Sequence, residues 1–134
     1  MLEFPTIQSR GFRNVTEAGQ TTGFQVPIRL DYYRGVWLSQ LRPATVTVDG
    51  VKYENDRITW TVDGRTFEQN ELADRGNVHW NSMQPAILTV RKPGGLELGI
   101  HDVEVFFQYS ASYLPPRIDL GFGGNHQRRM VLAR

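Results

Sequence analysis

Three histidines, His79, His101 and His126, are the obvious candidates for metal or acid–base chemistry in this sequence. Metal sites of the cupin kind place two histidines at i and i+2 of one strand with a carboxylate following, and no His-x-His occurs here. Cysteine is absent, which removes thiolate zinc sites, disulfides and a cysteine nucleophile together. Ser9, Ser39, Ser82, Ser110 and Ser112 all lie outside any Gly-x-Ser-x-Gly elbow, so a hydrolytic triad fits poorly. Gly94-Gly95 and Gly121-Phe122-Gly123-Gly124 lack the Lys-Ser/Thr and following helix of a phosphate-cradling loop. The carboxylate pairs Glu54/Asp56 and Asp102/Glu104 flank turns or a solvent-facing strand side, where solvation is their ordinary role. No catalytic, cofactor-binding or metal-ligating residue is therefore expected in this chain.

Binding is better represented than catalysis. Tyr32, Tyr33, Trp37 and Trp80 could stack on the apolar face of a sugar, and His79, in Asn77-Val78-His79-Trp80-Asn81, could face a ligand from a loop. The bland alternative is core: Trp60 shares a strand side with Ile58 and Val62 and is expected to be buried. His101 is expected to be a turn or edge residue with local hydrogen bonds. A free-standing carbohydrate-binding module is the function these aromatics suggest on their own.

The elements that must position these residues are strands. Phe24, Val26, Ile28 and Leu30 alternate with polar residues, and Pro27 predicts an edge or a bulge, since proline cannot donate to a ladder. Val36, Leu38 and Leu41 suggest a second run. Two hairpins turn on Asp49-Gly50 and Asp63-Gly64, the sequence that a type I′ turn requires. Ala86 to Val90 and Ile100 to Tyr109 read as two further strands; Phe106 falls on the polar side of the second and needs a cover. Helix signals are confined to Glu68–Asp74. About eight strands without βα alternation predict an all-β, antiparallel, jelly-roll-like β-sandwich.

Residues 1–114 are expected to form that sandwich. The double proline Pro115-Pro116 ends the pattern, and residues 115–134 form either a final strand or an arm that packs on another chain. In that segment Phe122 is one of several apolar anchors, and Arg128 and Arg129 could pair with carboxylates at an interface rim. The whole has 134 residues, with fifteen basic against fourteen acidic side chains. That balance argues against a nucleic-acid binder. No apolar run is long enough to span a membrane, and the first residues carry no signal-peptide pattern, so a cytoplasmic protein without membrane or nucleic-acid partners is expected.

Gly11-Phe12-Arg13-Asn14-Val15, Gly23 to Leu30, and Tyr32-Tyr33-Arg34-Gly35-Val36-Trp37 resemble the small (beta) subunit of bacterial C-glycoside deglycosidases. The hairpin from Val46 to Tyr53 and the stretch Asp102 to Asp119, with Tyr113-Leu114-Pro115-Pro116-Arg117, extend the resemblance over nearly the whole chain. It rests on overall pattern and length, without a diagnostic catalytic motif. The resemblance implies a β-sandwich that is itself non-catalytic and pairs with a larger TIM-barrel alpha subunit in a hetero-oligomer. It further implies that the alpha subunit holds a divalent metal, typically Mn2+, and the acid–base residues. The implied reaction is lyase cleavage of the carbon–carbon bond between a 3-oxo sugar and an aromatic aglycone, as in a flavonoid C-glycoside. No family catalytic residue maps onto this chain.

Overall fold

The computed structural model describes residues 5–32, 34–110 and 122–133, with Phe122 described by its backbone alone. Eleven strands occur among them: β1 (Arg13–Glu17), β2 (Gln20–Ile28), β3 (Val36–Trp37), β4 (Thr45–Val48), β5 (Val51–Tyr53), β6 (Ile58–Val62), β7 (Arg65–Glu68), β8 (His79–Trp80), β9 (Ala86–Arg91), β10 (Gly99–Tyr109) and β11 (Phe122–Leu132). They form a five-stranded sheet ordered β1-β2-β9-β6-β7, a four-stranded sheet ordered β11-β10-β4-β5 and the small pair β3-β8. Every pairing is antiparallel. The fold is an all-β sandwich, because the inner faces of the two larger sheets meet: Phe24 of β2 packs edge-on to Tyr53 of β5, and Trp60 of β6 to Phe107 of β10.

The hairpins follow from local chemistry. Asp49 and Gly50 have φ of 50° and 86°, and Asp63 and Gly64 have 52° and 76°, so both two-residue turns are left-handed throughout, as a type I′ turn demands. Strict alternation then sorts the side chains. On β10, His101, Val103, Val105, Phe107 and Tyr109 point into the core, while Ile100, Asp102, Glu104 and Phe106 point outward. Gln69, buried beside the core, accepts from Ala44 N and Trp60 Nε1 through its oxygen and donates to the carbonyls of Ala44 and Asn55.

Four expectations need correction. β2 is an interior strand, not an edge, and the one register shift in its pairing with β1 falls at Thr22, opposite Val15/Thr16, rather than at Pro27. Pro27 is tolerated because β1 pairing stops at Gln25 and the chain resumes with Gln8 N donating to the Pro27 carbonyl, so the missing N–H faces a gap in the ladder. The run from Val36 to Leu41 is a two-residue strand followed by a 3-10 turn, Leu38–Gln40, and Gln69–Asp74 is also 3-10 rather than α-helical. Finally, the core crosses the expected boundary at residue 114. The segment 122–132 is a strand paired with β10 along its whole length, and it buries Met130 and Leu132. Among the described residues no helix is long and apolar enough to cross a membrane.

Candidate functional site

The Tyr109 end of β10 gathers Tyr32, Trp37, His79 and His126 among the residues singled out from sequence. Tyr32 is half-buried, with its ring centre 6.0 Å from that of Tyr109. Its carbonyl accepts from Gly35 N in a tight turn. Gly35 sits at φ 70°, and a Cβ there would lie 2.5 Å from both His79 Cε1 and the Trp80 carbonyl. Only glycine lets the His79 ring rest on this backbone. The ring in turn meets Trp37, its cross-strand partner, edge-to-face at 4.9 Å. Trp37 N donates to Gln40 Oε1, and Gln40 Nε2 donates to the Ser110 carbonyl, which ties the Trp37/His79 pair to the end of β10.

His126 reaches the same end from β11, with its ring 5.9 Å from Phe107. Burial lowers its pKa, and nearby Asp31 only partly offsets this. Burial, with help from Asp31 and Tyr32, pushes Tyr109 up to about 12. At neutral pH both groups are therefore uncharged. This arrangement offers hydrogen-bonding groups and aromatic faces, suited to holding a polar aromatic surface.

The other candidates lie elsewhere. Trp80 is fully buried against Trp60 and Phe107, its Nε1 donating to the Gln84 carbonyl, so it cannot stack on a sugar. Alternation explains this: Trp80 faces Val36 on the inner side of the β3-β8 pair, and Trp37 and His79 take the outer one. Arg128 Nη1 donates to the Ile7 carbonyl, which ties β11 to the N-terminal segment. Arg129 is on the outer face of the four-stranded sheet, bonded to Asp102. Tyr33 lies outside the described residues, and Phe122 is placed only as the residue opposite Tyr109 in the ladder. Among the described residues no three His, Cys, Asp or Glu side chains converge.

Sequence reasoning missed one ionic cluster. His101 is neither a turn nor an edge residue: it lies on interior strand β10, facing the core, and only one of its two hydrogen bonds is local. Its Nδ1 is 2.6 Å from Asp49 Oδ2 and its Nε2 is 2.6 Å from the Glu97 carbonyl. Asp49 Oδ1 also accepts from Asp102 N. Burial alone would lower the His101 pKa, but the Glu97 carbonyl and the Asp49 carboxylate on its two nitrogens raise it. The same contact with His101, then the Asp102 N–H, holds Asp49 below its ordinary range. The available signal was that His101 falls in phase with Val103 and Val105.

Comparison with known proteins follows the same line as the fold. The model of the C-glycoside deglycosidase beta subunit family matches residues 2–113. A C-glycoside deglycosidase beta subunit of Eubacterium cellulosolvens is 47% identical over 121 residues, covering 90% of this chain and 82% of that protein. One of Arthrobacter globiformis is 32% identical over 89 residues, 66% of this chain and 68% of the relative. The 3′-dehydrocarminate deglycosidase beta subunit of a Microbacterium species is 33% identical over 95 residues, 70% of each chain.

Proposed function

Because this chain belongs to the C-glycoside deglycosidase beta subunit family, we propose that it is the non-catalytic subunit of a heteromeric C-glycoside deglycosidase. The observation that carries this is the 47% identity to one such subunit across 90% of the chain. In this reading the partner is a TIM-barrel alpha subunit in the cytoplasm, and it supplies the acid–base groups. A divalent metal such as Mn2+ on that partner would stabilise negative charge on a sugar enolate. The substrate is a C-glycoside oxidised at C3 of the sugar, such as a flavonoid glycoside. The name of the Microbacterium relative, which specifies a 3′-dehydro substrate, supports that oxidation state.

The 3-oxo group acidifies the C2 proton, and a base removes it. The bond from C1 to the aglycone then breaks, its electron pair passing to the aglycone carbon, which is reprotonated. A C1=C2 double bond remains in the sugar, so the step is an elimination, and the enzyme is a carbon–carbon lyase. No step is assigned to this chain. Its role is to complete the assembly and to present the end that carries Tyr32, Trp37, His79 and His126 to the partner or to the aglycone. The free carbohydrate-binding alternative loses support with Trp80 in the core.

The test is reconstitution with a 3-oxo C-glucoside, following aglycone release by absorbance. The complex is expected to turn over and this chain alone to be inactive. Turnover by the chain alone, or full activity of the alpha subunit without it, would overturn the proposal.

A further inference from the structure

The four-stranded sheet has an outer face that the sandwich core does not use. At one end Ile100 and Val131 are cross-strand partners, 67% and 64% exposed, and toward the other lies Phe106 at 40%. No cover for Phe106 is found among the described residues. These are three of the seven exposed large apolar side chains among the described residues, and none of the seven lies on the five-stranded sheet. That sheet's outer face carries threonines instead, including Thr61, Thr66 and Thr89. Between Ile100 and Phe106 the charges are already partnered: Arg129 bonds Asp102, and Gln127 bonds Glu104. A surface of apolar ends, whose middle holds the Asp102–Arg129 ion pair and a hydrogen-bonded Glu104 carboxylate, suits a folded protein surface and not a polyanion.

The edges point to the same side. β1 has five residues, β7 four and β5 three, all short edges of the kind that resist pairing. β11 is an edge strand of eleven residues. At about 3.4 Å per residue and 4.8 Å per strand, β10 and β11 present a face about 37 Å long and about 10 Å wide, which the short β4 and β5 widen to about 20 Å over three or four residues. Its projected area is about 400–500 Å², over half of the ~800 Å² per partner of a standard stable interface.

We propose that the outer face of β10 and β11, centred on Ile100, Phe106 and Val131, is where this chain docks on its catalytic alpha subunit. This inference rests on the functional reading above, since that reading supplies the partner. A beta subunit must bury surface on another chain, and this face supplies over half of a standard interface together with the unspent apolar side chains.

The test uses the full chain co-expressed with a tagged alpha subunit. The unmodified chain is expected to be retained. Phe106→Glu and the double variant Ile100→Lys/Val131→Glu are expected to bind about 100-fold more weakly or worse, and the milder Phe106→Ser about 10-fold more weakly. Thr89→Lys, on the opposite sheet, should bind as the unmodified chain does. Melting of each free variant within about 3 °C of the unmodified chain separates docking from folding. If the unmodified chain is retained and all variants bind equally, the docking face is wrong and the family reading stands. If the unmodified chain is not retained, both fall. Light scattering gives the remaining outcome: a free chain that is dimeric, turns monomeric with Ile100→Lys/Val131→Glu and still binds alpha would assign the face to a second copy instead.

Discussion

Replacing His101 by Phe tests the ionic cluster under the Asp49-Gly50 turn. Both ring nitrogens of His101 face oxygen acceptors at 2.6 Å, so both must carry hydrogen, and the ring is an imidazolium when the cluster is complete. Hydrogen bonds involving a charged group contribute about 1.5–3 kcal/mol each. The Asp49 side chain is half-exposed, which puts its bond at the low end of that range. Phe keeps the edge contact with Phe12 and adds apolar burial of about 1 kcal/mol, so the net loss at pH 6 is about 2–3 kcal/mol. A raised folded pKa means that this stability is fully present below the unfolded value near 6.5 and is lost as pH climbs through the folded one. At pH 9 the neutral ring donates only once, and the difference should shrink to about 1 kcal/mol. At the acid side the Asp49 contribution, from a depressed pKa, disappears only as pH falls below the ordinary carboxylate value of 3.8 and on through the folded one. Urea unfolding of both proteins by tryptophan fluorescence at pH 6 and pH 9 measures the difference. The reasoning fails if the destabilisation is equal at both pH values, or if an NMR titration puts the His101 pKa below 6.5.

Three further outcomes follow from the packing. Gly64→Val and Gly50→Val should each destabilise by about 1–3 kcal/mol purely through backbone strain, because nothing lies within 4 Å of the added Cβ; unchanged melting would contradict the left-handed turns. Gln69→Leu should cost about 2–4 kcal/mol in denaturant titrations, since it strands Ala44 N, Trp60 Nε1 and two carbonyls, and a loss under 1 kcal/mol would show that water replaces them. Leu132→Ala should cost about 2–5 kcal/mol, and a chain ending at residue 121 should not melt cooperatively; cooperative melting of that truncation would remove β11 from the core.

Much of the fold is legible because its signals are local. Asp-Gly turns and the two-residue period of β10 are written in neighbouring positions, so hairpins and facing follow from them. The misses are non-local. Pro27 marks an edge only if the ladder on its side is continuous, and the gap between Arg13 and Gln8 cannot be read from β2 itself. β3 and β8 are two residues each, too short to show a period, so their pairing, which buries Trp80 and exposes Trp37, had no signature. β11 hides its alternation behind Gly123, Gly124, Arg128 and Arg129, and its in-register contact with β10 is what makes it a strand. The His101–Asp49 contact joins a residue of β10 to one in the β4–β5 turn, and the type of neither residue announces the other.

β9 stands in the middle of the five-stranded sheet with no hairpin partner of its own, between the hairpins β1-β2 and β6-β7. During synthesis both hairpins leave the ribosome before it does, each able to close within about 1–10 μs. Until residues 86–91 emerge, at about 5–20 residues per second, Phe24, Val26 and Ile28 border one unfilled seam and Ile58 and Trp60 the other. The nascent chain thus carries two half-sheets that no local event can join, and for seconds their open strand edges are available to other chains. The vulnerable period ends with the arrival of one six-residue strand.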